Sequence, residues 1–158
     1  AGSTNSDPAA APEAVTLYLV RHAEKQDGDD PALTTAGEAR AEALADRLEG
    51  EGIEAVWSTD YRRTLATAAP LADRLGVDVQ VYDPGNLPAF AKQVWAEGET
   101  ALIVGHSNTT PELAALLGGK SGPEIDEARE YDRLYVIRGT GPDTAQSDIE
   151  RYGHADGR

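Results

Sequence analysis

From Val15 onward the chain alternates short β-rich runs with amphipathic helical stretches, and this alternation limits its fold more than any other feature. The runs are VTLYLV (Val15–Val20), IEAVWS (Ile53–Ser58), VDVQVY (Val77–Tyr82) and TALIVG (Thr100–Gly105). After the first, a polar loop holds Gly28 and Pro31, and Thr35 and Glu38 then have the spacing of a helix capping box. Ala39, Ala43, Leu44 and Leu48 recur at helical spacing until Gly50 and Gly52 end the pattern. A second helix is expected from near Thr59 towards Leu75, bent or interrupted at Pro70, which has no N–H to donate. LPAFAKQVWAEG reads as a third. A fourth is expected with Thr110 as cap and Pro111 in the first position, ending at Gly118 and Gly119. Two more β-like runs, Leu134–Arg138 and Ser147–Tyr152, flank a Gly/Pro turn. Strand–helix alternation of this kind implies an α/β fold of three layers, a mainly parallel sheet with helices on both faces.

A length of 158 residues suits one such domain with a sizeable core and is short for two. Residues 15–158 read as that single domain. Residues 1–14, AGSTNSDPAAAPEA, are small, polar and Pro-containing, and read as a flexible lead-in. The lead-in fits either the remainder left after an export signal is removed or an intracellular linker; of the two, export is favoured. No apolar run approaches the roughly 20 residues of a membrane-spanning helix.

The charge is one-sided: 14 Lys and Arg against 28 Asp and Glu, a formal net charge of −14. Nucleic acid and anionic membrane surfaces both demand basic surface, so neither is an expected partner. With no Cys, the chain has no thiolate nucleophile and no thiolate metal ligand. An acid-rich, Lys-poor surface fits a saline habitat or simply a very soluble protein.

In parallel α/β sheets, ligands bind beyond the carboxyl ends of the strands. Arg21 and His22 follow the first run, Ser58 to Arg63 the second, Asp83 the third, and Gly105 to Asn108 the fourth. Two of the three His and at least two Arg therefore meet on one rim, while His154 falls in a polar tail. Guanidinium forks match phosphate oxygens and stay charged at any relevant pH. An unprotonated imidazole nitrogen can attack phosphorus. Neighbouring Arg would repel a metal cation, so no metal site is expected. Ser107 is a poor hydrolase nucleophile, because G-H-S-N lacks the G-x-S-x-G elbow. Trp57 and Trp95 suit packing better than substrate stacking, and Glu24 and Lys25 read as loop or gate residues.

Four segments together resemble the histidine phosphatase superfamily, whose fold is phosphoglycerate-mutase-like. Leu19-Val20-Arg21-His22-Ala23-Glu24 is similar to its opening signature, and Leu33-Thr34-Thr35-Ala36-Gly37 to its L-T-x-x-G element. Arg63 to Ala68 matches R-x-x-x-T-A, and Val104-Gly105-His106-Ser107 matches V-G-H-S/N. The resemblance spans roughly residues 15–119, and the short length is similar to that of the SixA-like branch. It implies His22 as the nucleophile that becomes phosphohistidine, with Arg21, Arg63 and His106 completing a phosphate pocket. Arg62 competes with Arg63, but neighbours on a helix point about 100° apart, and Thr67-Ala68 fits the pattern only from Arg63. Asp83 is the positional candidate for proton donor, in place of the more frequent Glu, with Glu24 as the alternative.

The expected activity is hydrolysis of a phosphate monoester, on a small molecule or a phosphorylated protein side chain, without metal or organic cofactor. A phosphate-transferring mutase and a non-catalytic phosphate-binding domain of the same fold are the alternatives.

Overall fold

The structure, a computed structural model, describes residues 13–153. Residues 1–12 of the expected lead-in, and His154, lie outside the described residues. Along the chain run β1 (Val15–Arg21), α1 (Thr35–Leu48), β2 (Ala55–Ser58), α2 (Arg62–Leu75), β3 (Val79–Val81), α3 (Leu87–Glu97), β4 (Ala101–Gly105), α4 (Thr109–Leu116), β5 (Arg133–Gly139) and β6 (Gln146–Arg151). The strands form one sheet in the order β3-β2-β4-β1-β5-β6. The first four of that order are mutually parallel, and β5 and β6 add an antiparallel edge.

Side chains that alternate along each strand divide the core in two. Leu17 and Leu19 of β1, Trp57 of β2, Ile103 of β4 and Ile137 of β5 face one way and pack under Phe90 and Val94 of α3 and Leu113 of α4. Tyr18, Val20, Val56, Leu102 and Val104 face the other way, under Leu44 and Leu48 of α1 and Ala68 and Leu71 of α2. The central strands carry apolar residues on both faces because both are covered, which is why VTLYLV and ALIVG read as continuous apolar runs. The result is the three-layer α/β/α arrangement.

The structure corrects three local expectations. Thr34, one residue before the expected cap, caps α1, its hydroxyl accepting from Gly37 N at 3.0 Å. The second helix starts at Arg62 and runs without a break through Pro70 to Leu75, stopped by Gly76 in the left-handed region. In α4 the first residue is Thr109 and Pro111 is the third. Thr110 spends its hydroxyl on the carbonyl of Val20 at 3.4 Å, and Thr109 accepts from His106 N at 3.1 Å. Both threonines thus bind this helix to the ends of β1 and β4, a long-range role that local spacing does not reveal.

Candidate active site

Register builds the site. Arg21 of β1 pairs with Gly105 of β4, and the next amide, His22 N, donates to Gly105 O at 2.9 Å. His22 and His106 each stand one residue beyond their strand, so their rings come side by side, centroids 5.7 Å apart and planes at 64°. On the far side of β4, Ser58 pairs with Val104, and the next residue, Thr59, places its hydroxyl 2.9 Å from His106 Nε2. Thr59 also donates to Thr64 Oγ1 at 2.9 Å, which ties the His106 ring to the start of α2. Gly105 sits where these pieces converge: a Cβ there would stand 2.8 Å from the Tyr82 hydroxyl and 3.1 Å from Thr110 Oγ1.

His22 is 3% exposed, and its Nδ1 lies 2.8 Å from Ala23 O. A carbonyl only accepts, so Nδ1 carries the hydrogen, and in the neutral ring the lone pair is on Nε2. Burial holds the ring neutral, pushing its pKa down to about 3, and the nearby Arg21, His106 and Arg63 push the same way against the Ala23 hydrogen bond. His106 is lowered to about 4, by burial first and then by Arg63 and Arg21. The loop carrying His22 is itself anchored: Ala23 N donates to Thr67 Oγ1 at 2.9 Å, and Thr67 donates to Arg63 O at 2.7 Å. That is the physical content of an Arg and a Thr four residues apart on α2.

His22, Lys25, Tyr61, Arg63, His106 and Glu127 share the lining of an open cavity of about 290 Å³ with Pro84 and Ser107 to Thr109. Arg63 Nε is buried with no partner among the described residues, and its guanidinium lies 4.7 Å from the Tyr61 ring. Arg62 does not line this cavity; it is exposed, and its N–H donates to Asp30 Oδ1 at 2.8 Å. Arg21 lines an adjoining cavity with Lys25, Glu127 and Tyr131. Its Nη1 donates to Glu127 O and Glu130 O, each at 3.0 Å, and its guanidinium stacks 4.1 Å from the Tyr131 ring centre. Arg21 Nε, too, is buried without a partner among the described residues. Buried unpaired donors are rare and call for an explanation; two guanidinium edges of this kind around one imidazole suit a tetrahedral oxyanion.

The two carboxylates singled out from sequence are placed differently. Asp83 does not line the His22 cavity: it is exposed and accepts from Gly85 N at 2.8 Å, capping a 3-10 turn (Pro84–Asn86). Glu24 is held by a two-point ion pair to Arg40, at 2.8 and 2.9 Å, which outweighs its burial and keeps its carboxyl below the usual range. Four residues of the site receive no individual role from the sequence: Thr59 and Tyr61, which fall in the Ser58 to Arg63 stretch at the rim, and Glu127 and Tyr131. Tyr61 has a local signal, since it directly precedes the Arg pair of α2; Glu127 and Tyr131 lie in an aperiodic loop and have none. No group of three or more His, Asp or Glu is placed to hold a metal among the described residues.

Residues 17–84 match the model of the histidine phosphatase superfamily (branch 1). The matched stretch is less than half of the chain and contains Arg21, His22 and Arg63. A probable phosphoglycerate mutase GpmB of Yersinia enterocolitica is 37% identical over 76 residues, which cover 43% of this chain and 35% of that protein. The chain therefore matches about a third of the length of that curated relative. Among solved structures, the protein histidine phosphatase SixA complexed with tungstate superposes with a TM-score of 0.66 at 18% identity, covering 87% of this chain and 96% of SixA. A mycobacterial glucosyl-3-phosphoglycerate phosphatase superposes with a TM-score of 0.63 at 16% identity, over 90% and 100% of the two chains. These likenesses extend the shared fold well beyond the residues that the family model matches. The proteins that this chain is similar to thus include phosphatases and a probable mutase.

Proposed function

We propose that this chain is a member of the histidine phosphatase superfamily and hydrolyses phosphate monoesters through a phosphohistidine on His22. The observation that supports this most directly is the hydrogen bond from His22 Nδ1 to Ala23 O, which leaves a neutral Nε2 lone pair on a ring that feels the charges of Arg21 and Arg63, each with a buried Nε that has no partner among the described residues. In this reading Arg63, Arg21 and His106 bind the phosphoryl oxygens, and their positive charge stabilises the transition state spread over those oxygens. Nε2 attacks phosphorus as the ester oxygen departs. Water then cleaves the P–N bond and releases inorganic phosphate. The substrate is a phosphorylated small molecule or a phosphoprotein side chain, which the openness of the cavity accommodates. Residues 15–158 act in this reading as one domain.

A phosphotransferase reading draws on the likeness to GpmB, and a single experiment separates the possibilities. Wild-type protein given a ³²P-labelled ester should acquire an acid-labile label, and His22→Ala should lose both that label and turnover, by about 10³-fold or more. Label that passes to an added alcohol instead of water would favour the transferase. Equal phosphate binding by wild type and variant with no turnover by either would make the domain a binder.

A further inference from the structure

The loop between α4 and β5 brings to the site a carboxylate that no motif contains. Among the described residues Glu127 is the one acidic residue lining the cavity that His22 opens into, and it also lines two adjoining cavities, beside Ser107 and Asn108 on one side and beside Arg21 and Tyr131 on the other. Its backbone is pinned: Glu127 O accepts from Arg21 Nη1 at 3.0 Å. The turn around it is braced by Asp126, whose carbonyl accepts from Arg129 N and Glu130 N and whose carboxylate accepts from Ala128 N. Glu130 is committed elsewhere, holding Arg133 and Arg151. The Glu127 carboxylate alone in this turn makes no hydrogen bond or ion pair among the described residues.

Those facts answer a question that the mechanism poses. In-line displacement puts the leaving oxygen opposite the attacking nitrogen, hence on the open side of the site. An alkoxide is a poor leaving group, and a positioned acid there is worth about 10² to 10⁴ in rate. Asp83 is occupied at its own turn and off the cavity, and Glu24 is bound at both oxygens by Arg40. Glu127 borders the His22 cavity and both of the cavities beside it.

Resting on the phosphohistidine reading, we propose that Glu127 is the carboxyl group that protonates the leaving oxygen. As the His22 Nε2 lone pair forms the N–P bond, the P–O ester bond breaks and the Glu127 proton passes to that oxygen, giving the free alcohol and a Glu127 carboxylate. In the second step this carboxylate takes a proton from the attacking water while the P–N bond breaks. Inorganic phosphate leaves, and both side chains return to their starting states.

The test compares kcat/KM on nitrophenyl phosphate, whose leaving group needs no acid, with kcat/KM on glycerol 2-phosphate, whose leaving group does. Glu127→Gln should lose about 100-fold on the glycerol ester and only a few-fold on the nitrophenyl ester. Glu127→Asp should recover part of the lost activity, and Asp83→Asn and Glu24→Gln should show no selective loss. Equal losses on both esters, no loss on either, or selectivity appearing in Asp83→Asn instead would overturn the assignment. Labelling of His22 distinguishes this failure from the larger one. Wild-type protein that turns over ester and labels at His22 while Glu127→Gln shows no selectivity refutes Glu127 alone; absence of label in wild type refutes the phosphohistidine reading and this assignment with it.

Discussion

His22 illustrates how a single backbone carbonyl sets chemistry. The Ala23 carbonyl accepts the Nδ1 hydrogen, and burial denies the ring a second proton, so the ring is neutral with its lone pair on Nε2, as the proposed attack on phosphorus requires. The same burial has a cost that stability measurements can read. An unfolded His titrates near 6.5, whereas His22 is held at about 3 and His106 at about 4. Between those values the unfolded state binds more protons than the folded one, so stability rises with pH up to about 6.5 and is lost as the solution is acidified below it. Each ring should cost on the order of 2 kcal/mol at pH 5 relative to pH 8. Urea midpoints at the two pH values check this. Acidification should lower the wild-type midpoint clearly and the His22→Asn midpoint by less, since one of the two buried rings is gone. The carboxylates of Glu24 and Glu130 do not confuse the comparison, because their depressed values place their losses below pH 4.5. Equal shifts in the two proteins would show that His22 is not held neutral by the fold.

At the scale of elements, β1 and β4 were legible because both faces are covered and the apolar runs are unbroken, and α3 was legible from its spacing alone. Legibility failed where a distant partner decided the local outcome. Pro70 stays inside α2 although proline disfavours helix interiors by about 3 kcal/mol; Ala68, Leu71 and Ala72 around it are buried against the sheet and α1, and that packing holds the helix through it. The caps of α1 and α4 were misplaced for a related reason: several hydroxyls were available, and tertiary contacts chose among them. Of the candidate site, the two His and Arg63 could be read from strand ends and motif spacing. The setting of Arg21 could not, because its carbonyl partners lie 106 and 109 residues away in an aperiodic loop. Gly37 joins the two kinds of information. Glu24 O receives Thr34 N at 3.0 Å, and this brings the loop's carbonyl hard against the first turn of α1. A Cβ on residue 37 would overlap that carbonyl backbone. Gly37→Ala should therefore destabilise the protein by about 2 kcal/mol, in the range of overpacked substitutions, and lower turnover by shifting the loop that follows His22. A wild-type urea midpoint together with wild-type turnover would contradict that account of the L-T-x-x-G element.

The whole molecule poses an electrostatic contradiction: a protein of net charge −14 that is proposed to receive a phosphate dianion. The contradiction resolves by distance. Arg63 and Lys25 line the His22 cavity and Arg21 the one beside it, whereas Glu42, Asp46 and Glu49 are gathered around Arg74 on the exposed side of α1 and α2. Charges separated by more than about 8–10 Å in solvent are largely screened at physiological ionic strength, while contacts inside the pocket are screened much less. Added salt should thus weaken the repulsion of the incoming anion more than its binding. Raising NaCl from 50 to 500 mM, with nitrophenyl phosphate held below KM, should leave kcat/KM unchanged or raise it up to a few-fold. Arg63→Ala should lower it at every salt concentration, because the group removed acts at contact range. A steep fall with salt in the wild type would mean that long-range attraction governs capture, and the surface would then have to contain a cationic field that its composition does not supply.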